Sequence, residues 1–115
     1  MSFRKNVLTS YNVINAQSMA SDIVSPSTTV QYLDNISVQL LFSGSSATGQ
    51  FFIDGSLDNV NWVPLDIFPA MYASDADKQI LIDMNNISFS NIRVRYAHAP
   101  GDTGSLTAII EGKSI

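Results

Sequence analysis

The residues of this chain whose types could do chemistry are its acids, one histidine and a closely spaced pair of arginines. Nine aspartates and one glutamate stand against six basic residues. Asp54, Asp58, Asn59 and Asn61 fall around one turn, in IDGSLDNVNW, and Asp75 and Asp77 lie in a second polar stretch. Calcium takes six to eight oxygens, and loops of this composition can supply them. The spacing matches no EF-hand, and Asp and Asn in such turns equally cap their own backbone. Glycoside hydrolysis needs two carboxyls held at a set separation. The acids here sit mostly in turns, and nothing in the sequence holds a pair at a set distance. His98 is the only histidine and stands just before a turn, and there is no G-x-S-x-G elbow, so no nucleophile is paired with a base. The expectation is a protein that is not an enzyme and carries no cofactor, with calcium as the one ion left open.

Arg93 and Arg95 alternate with Ile92, Val94 and Tyr96, which turns both arginines off the core face. No acid lies close to them in sequence. They read either as a solvated strand face or as a contact for an acidic neighbouring subunit, since the guanidinium fork pairs bidentately with carboxylates. Trp62, Tyr72 and Tyr96 are the candidates for stacking on a sugar. Trp62 reads first as core, folded back by a hairpin to fix how two sheets meet. Tyr72 lies in the longest loop, Ala70 to Lys78, and is the better exposed candidate.

The elements that must position these residues are strands. Gly49 to Leu65 reads as a strand, a tight polar turn and a second strand carrying Trp62. Ile36 to Ser43 alternates cleanly, with Ile36, Val38, Leu40 and Phe42 on one face. Shorter extended pieces are expected at Val13–Met19, Asp22–Ser25, Thr28–Tyr32, Gln79–Asp83, Phe89–Tyr96 and Leu106–Glu111. Pro64 and Pro69 mark an edge or corner, and the 70–78 loop has room for one helical turn. No stretch keeps apolar residues at helical spacing over three turns. Seven to nine short strands between Gly, Pro, Asn and Asp turns indicate an all-β, single-domain antiparallel sandwich. Jelly-roll, galactose-binding-like and immunoglobulin-like strand orders all remain open. Residues 13–115 form the domain. Residues 1–12 read as an arm, with Phe3, Arg4, Val7 and Tyr11 available to a neighbouring subunit.

Composition narrows the function further. There is no cysteine, hence no disulfide framework and no thiolate metal site. A net charge of −4 with six basic residues argues against binding nucleic acid through its phosphates and against anionic membranes. No apolar run is long enough to span a bilayer, and the N-terminus does not read as a signal peptide. The chain is expected to be made in a cytoplasm. Charged residues make up 14% of the chain, below the usual quarter or so, so part of the surface is expected to be covered by neighbours.

Two resemblances follow from these residues. FFIDGSLDNVNW, NIRVRY and LTAIIEGK resemble the later half of discoidin-type (galactose-binding-like) sandwiches, though the discoidin cysteine pair is absent. More of the chain, from ISVQLLFSG through TGQFFIDGSLDNVNW and ILIDMNNISFSNIRVRY to GDTGSLTAIIEGKSI, resembles small β-sandwich virion proteins of tailed bacteriophages. That resemblance implies a structural role in the virion, as a head decoration (cement) protein or a neck, tail or baseplate component. It also implies a homo-oligomer, a trimer first, that contacts the major capsid protein or other virion proteins. A carbohydrate-binding module, with or without calcium, is the alternative from a different class.

Overall fold

The computed structural model describes residues 7–31, 33–43, 47–67, 69–74, 78–85 and 87–114, and of residues 7–9 and 114 the backbone alone. Ten strands form, and there is no helix among the described residues. They are β1 (Val7–Ser18), β2 (Ile23–Val24), β3 (Thr28–Thr29), β4 (Asn35–Phe42), β5 (Gln50–Ser56), β6 (Val63–Pro64), β7 (Met71–Tyr72), β8 (Gln79–Asn85), β9 (Asn91–Ala97) and β10 (Ser105–Ser114). The expected all-β sandwich is present, as two antiparallel sheets. The first runs β1-β10-β4-β8. The second runs β2-β9-β5-β6, with β3 also on β9 and β7 also on β5. The pairs β2/β3 and β6/β7 each act as one interrupted strand. Eight strands then take the order of a double-sheet jelly roll, with β5 and β6/β7 the one consecutive pair within a sheet, which selects among the three orders left open above.

Alternation explains the layers. Ile36, Val38, Leu40 and Phe42 of β4 and Leu106, Ala108 and Ile110 of β10 are buried against Phe51, Ile53, Ile92, Val94 and Tyr96 of the second sheet. The sheets meet through aromatic rings. Phe42 lies 4.9 Å from Phe51, and Phe51 lies 4.9 Å from Tyr96, both pairs tilted, a geometry the ring quadrupoles favour. Residues 1–6, with Phe3 and Arg4, lie outside the described residues. Val7 to Asn12 belong to β1, paired along β10 from Ser114 to Ile109. The 70–78 loop contains the two-residue β7.

Two loops are tied together by one buried carboxylate. Asp102 follows the turn after β9 and is 3% exposed. It accepts the N–H groups of Thr48 (2.9 Å), Gly49 (3.1 Å) and Ala99 (2.8 Å) and the hydroxyl of Tyr96. Gly112, in β10, has Leu33 packed directly over it, and an added Cβ would overlap the Leu33 Cδ1 methyl. Because the obstacle is the end of one side chain that can turn away, Gly112→Ala is expected to cost about 1–2 kcal/mol in urea unfolding, with the fold retained.

Candidate functional site

Of the candidate residues read from the sequence, Asp54, Trp62, Arg93 and Arg95 come together on the outer face of the second sheet. β5 turns Phe52, Asp54 and Ser56 outward, and β9 turns Asn91, Arg93 and Arg95 outward. The register sets Asp54 opposite Arg93 and Phe52 opposite Arg95. Asp54 is only 1% exposed although it points away from the core. The two arginines cover it. Arg93 Nε donates to Asp54 Oδ2 at 2.9 Å; Arg95 donates from Nε to Oδ2 at 3.0 Å and from Nη2 to Oδ1 at 3.3 Å. Their side chains are 26% and 28% exposed. Each guanidinium also rests on a ring, Arg93 4.5 Å from the centroid of Trp62 and Arg95 4.3 Å from that of Phe52, within the range of cation–π attraction.

One carboxylate is shared by two guanidiniums on a chain of net charge −4. Both arginines are held in place through Nε, so little side-chain entropy remains to be lost when an acidic group docks on them. Arginine and tryptophan around a desolvated centre is also the composition of interface hot spots. Val63, Leu57 and Val60 stand exposed beside this face, and Leu57 and Val63, with Leu65 and Phe89, line an open apolar groove of about 370 Å³.

Trp62 does not bridge the two sheets, contrary to the expectation from its place after the hairpin turn. Val63 pairs with Gly55, which lies on the inward row of β5, so its neighbour Trp62 falls on the outward row. The ring is half-buried under Arg93. Tyr96, the third aromatic candidate for sugar stacking, is fully buried and gives its hydroxyl to Asp102. Burial, followed by the bond to Asp102 and that carboxylate's charge, pushes its pKa well up. Tyr72 is 45% exposed. It pairs with Gln50, five residues along β5 from the Trp62 end, or roughly 17 Å at strand rise, so the two rings share no stacking platform.

The calcium candidates are drawn into other contacts. Asp54 is neutralised by the arginines. Asp58 accepts the N–H groups of Val60 (2.9 Å) and Asn61 (2.8 Å), the Asn61 side-chain amide (2.7 Å) and the Ser56 hydroxyl (3.0 Å). These bonds, the Asn61 N–H foremost, hold its carboxyl well below the usual range. Asn59, at φ +62°, accepts the hydroxyl of Ser27, in a left-handed conformation that asparagine tolerates. Local turn chemistry accounts for the bonds of Asp58, and among the described residues no three acids or histidines gather around one point. Asp75 and Asp77 lie outside the described residues. His98 pairs at the surface with Asp22, Nδ1 to Oδ1 2.5 Å. Tyr11, expected in an arm that contacts a neighbouring subunit, packs half-buried against this chain's own core opposite Ile110.

No family model matches the chain, and a search of curated proteins finds no match. Solved structures share the fold. The SPBc2 prophage-derived protein YomS matches with a TM-score of 0.67 at 16% identity, over 99% of each chain. Two structures of infectious bursal disease virus, strains Gx and Gt, match with TM-scores of 0.53 and 0.54 at 11% and 13% identity. They cover 96% of this chain but 33% and 32% of the viral chains, so the chain spans about a third of the viral chains it matches. At these identities the likeness is one of fold.

Proposed function

We propose that this chain is a non-enzymatic structural protein of a bacteriophage virion, first of all a head decoration (cement) protein. In this reading it is made in the host cytoplasm and incorporated into the particle as a homo-oligomer. The observation that carries the proposal is the end-to-end match of fold, over 99% of both chains, with a prophage-derived protein. The jelly roll that also recurs within a viral chain supports it. A cement protein works by area: a standard interface covers on the order of 1,600 Å², and many copies sum to a shell that resists internal pressure. The Arg93/Arg95 face and the N-terminal residues are the contacts proposed to meet the major capsid protein or another virion protein. A carbohydrate-binding module on a tail or baseplate is the second reading, favoured by the exposed Tyr72.

The test is co-sedimentation of the purified protein with bare phage heads, with and without calcium. Binding at stoichiometric copy number is expected. Deleting residues 1–6 spares β1, which starts at Val7, so the truncated chain should keep its unfolding midpoint and lose head binding. Undiminished binding would remove the arm from the mechanism. Absence of binding by the intact chain would remove the cement role, and a glycan array would then test the second reading.

A further inference from the structure

The first sheet has two edges, and they are built differently. The β1 edge is interrupted by register shifts between Asn12 and Ile14 and between Ile14 and Gln17, and Ala16 sits there at φ +51°. Irregularities of this kind twist an edge away from any new partner. The β8 edge has no such protection. It runs against β4 in unbroken register from Gln79↔Leu41 to Asn85↔Asn35. It contains neither proline nor lysine, and Asp83 is its single charge. The edges of the second sheet are two-residue strands. Among the described residues, β8 is therefore a long, regular edge strand without the usual protection. In an antiparallel pair alternate residues bond one neighbour, so β8 keeps a row of N–H and C=O groups directed away from β4.

The side chains of β8 are incompletely covered as well. Ile80, Ile82 and Met84 face the core yet stay half-buried. Leu81, on the outer side, is 64% exposed. Ile67, Met71 and Tyr72 join Ile80 and Ile82 along an open groove of about 370 Å³.

The strand itself indicates what covers it. Read antiparallel against its own sequence about Ile82, QILIDMN places Ile82 against Ile82 and Ile80 against Met84 on the inner side. On the outer side Leu81 meets Asp83 and Gln79 meets Asn85. Every inner pair is apolar, and no two like charges are opposed, which is what cross-strand pairing requires. We infer that β8 pairs with β8 of a second copy of this chain about a two-fold axis at Ile82. The two first sheets then join into one sheet of eight strands, and both sets of Ile80, Ile82 and Met84 are buried. The contact is isologous, a two-fold where the sequence suggested a trimer. It rests on β8 alone and does not depend on the virion reading.

Leu81 gives a test specific to this register, since its exposure lets it change without touching the core. In Leu81→Asp, each new carboxylate faces Asp83 of the second copy, twice per dimer. In Leu81→Lys, the same position forms two cross-strand ion pairs. Sedimentation equilibrium on the full chain, with circular dichroism to confirm the fold of each variant, should find a dimer for the native chain and for L81K. For L81D the dissociation constant should rise by roughly tenfold or more. A native chain that stays monomeric at high micromolar concentration overturns the inference. So does an L81D variant as dimeric as the native chain, or an L81K variant weakened as much as L81D. Head binding is scored in a separate assay, so a monomer that binds heads refutes the β8 pairing and leaves the virion reading standing.

Discussion

Asp102→Ala is expected to destabilise the protein by about 3–5 kcal/mol, because it strands several buried donors at once. The carboxylate holds the N–H groups of Thr48, Gly49 and Ala99 and the hydroxyl of Tyr96. It thereby pins the approach to β5 against the turn that follows β9. Gly49 belongs to the same latch. An added Cβ there would press into the Ala97 carbonyl and the Tyr96 hydroxyl, and the carbonyl is backbone that cannot swing aside, so Gly49→Ala should approach the same loss. Titration gives a second reading of the latch. Burial by itself would raise the Asp102 pKa, but the Ala99 N–H, the Tyr96 hydroxyl and the Thr48 and Gly49 N–H groups hold it down to about 2. A carboxyl depressed in the folded state stabilises the fold above its unfolded pKa, near 4, and loses that contribution as the pH falls toward 2. The loss is about 2 kcal/mol. Urea unfolding of the native chain and Asp102→Ala at pH 7 and pH 2.5 checks both points: the gap between them should narrow in acid. A gap that is small at pH 7, or unchanged at pH 2.5, would remove Asp102 from this role.

Asp54→Ala is the second large effect, expected at about 2–4 kcal/mol, because it leaves two guanidiniums side by side without their counter-charge. The value is set below that of a fully enclosed pair because both arginines keep about a quarter of their surface in water. Asp54→Asn retains an acceptor and should cost less. In a background where Arg93 and Arg95 are both methionine, Asp54→Ala should lose most of its cost, since the charge it balanced is gone. This double-mutant cycle, run by urea unfolding, separates a true charge cluster from packing alone. Equal costs in the two backgrounds would show that Asp54 serves only to fill space.

The strands with unbroken period-two alternation were legible, among them β4, the first part of β5, the middle of β9 and most of β10. The turn residues between them were enough to indicate a sandwich. Strand order was not legible, because each pairing joins distant segments. Arg93 and Arg95 were visible as an outward pair and Asp54 as an acid near a turn. What joins them is the β5–β9 register, carried across 39 and 41 residues of chain. Trp62 was misplaced because one residue of parity after a turn decides which face a ring takes. The turn ends with Val63 opposite Gly55, and this sends the ring outward. β7 is two residues long, too short for any periodicity. Asp102 reads as one more aspartate in a Pro-Gly turn, and only burial among four donors distinguishes it.

The most direct measurement of the proposed virion role is of the virion itself. Virions from a host that produces this protein would be banded on a density gradient and their proteins quantified by mass spectrometry. The prediction is that this chain co-bands with the heads in fixed, high copy number relative to the major capsid protein. Its absence from intact, infectious particles would contradict the account.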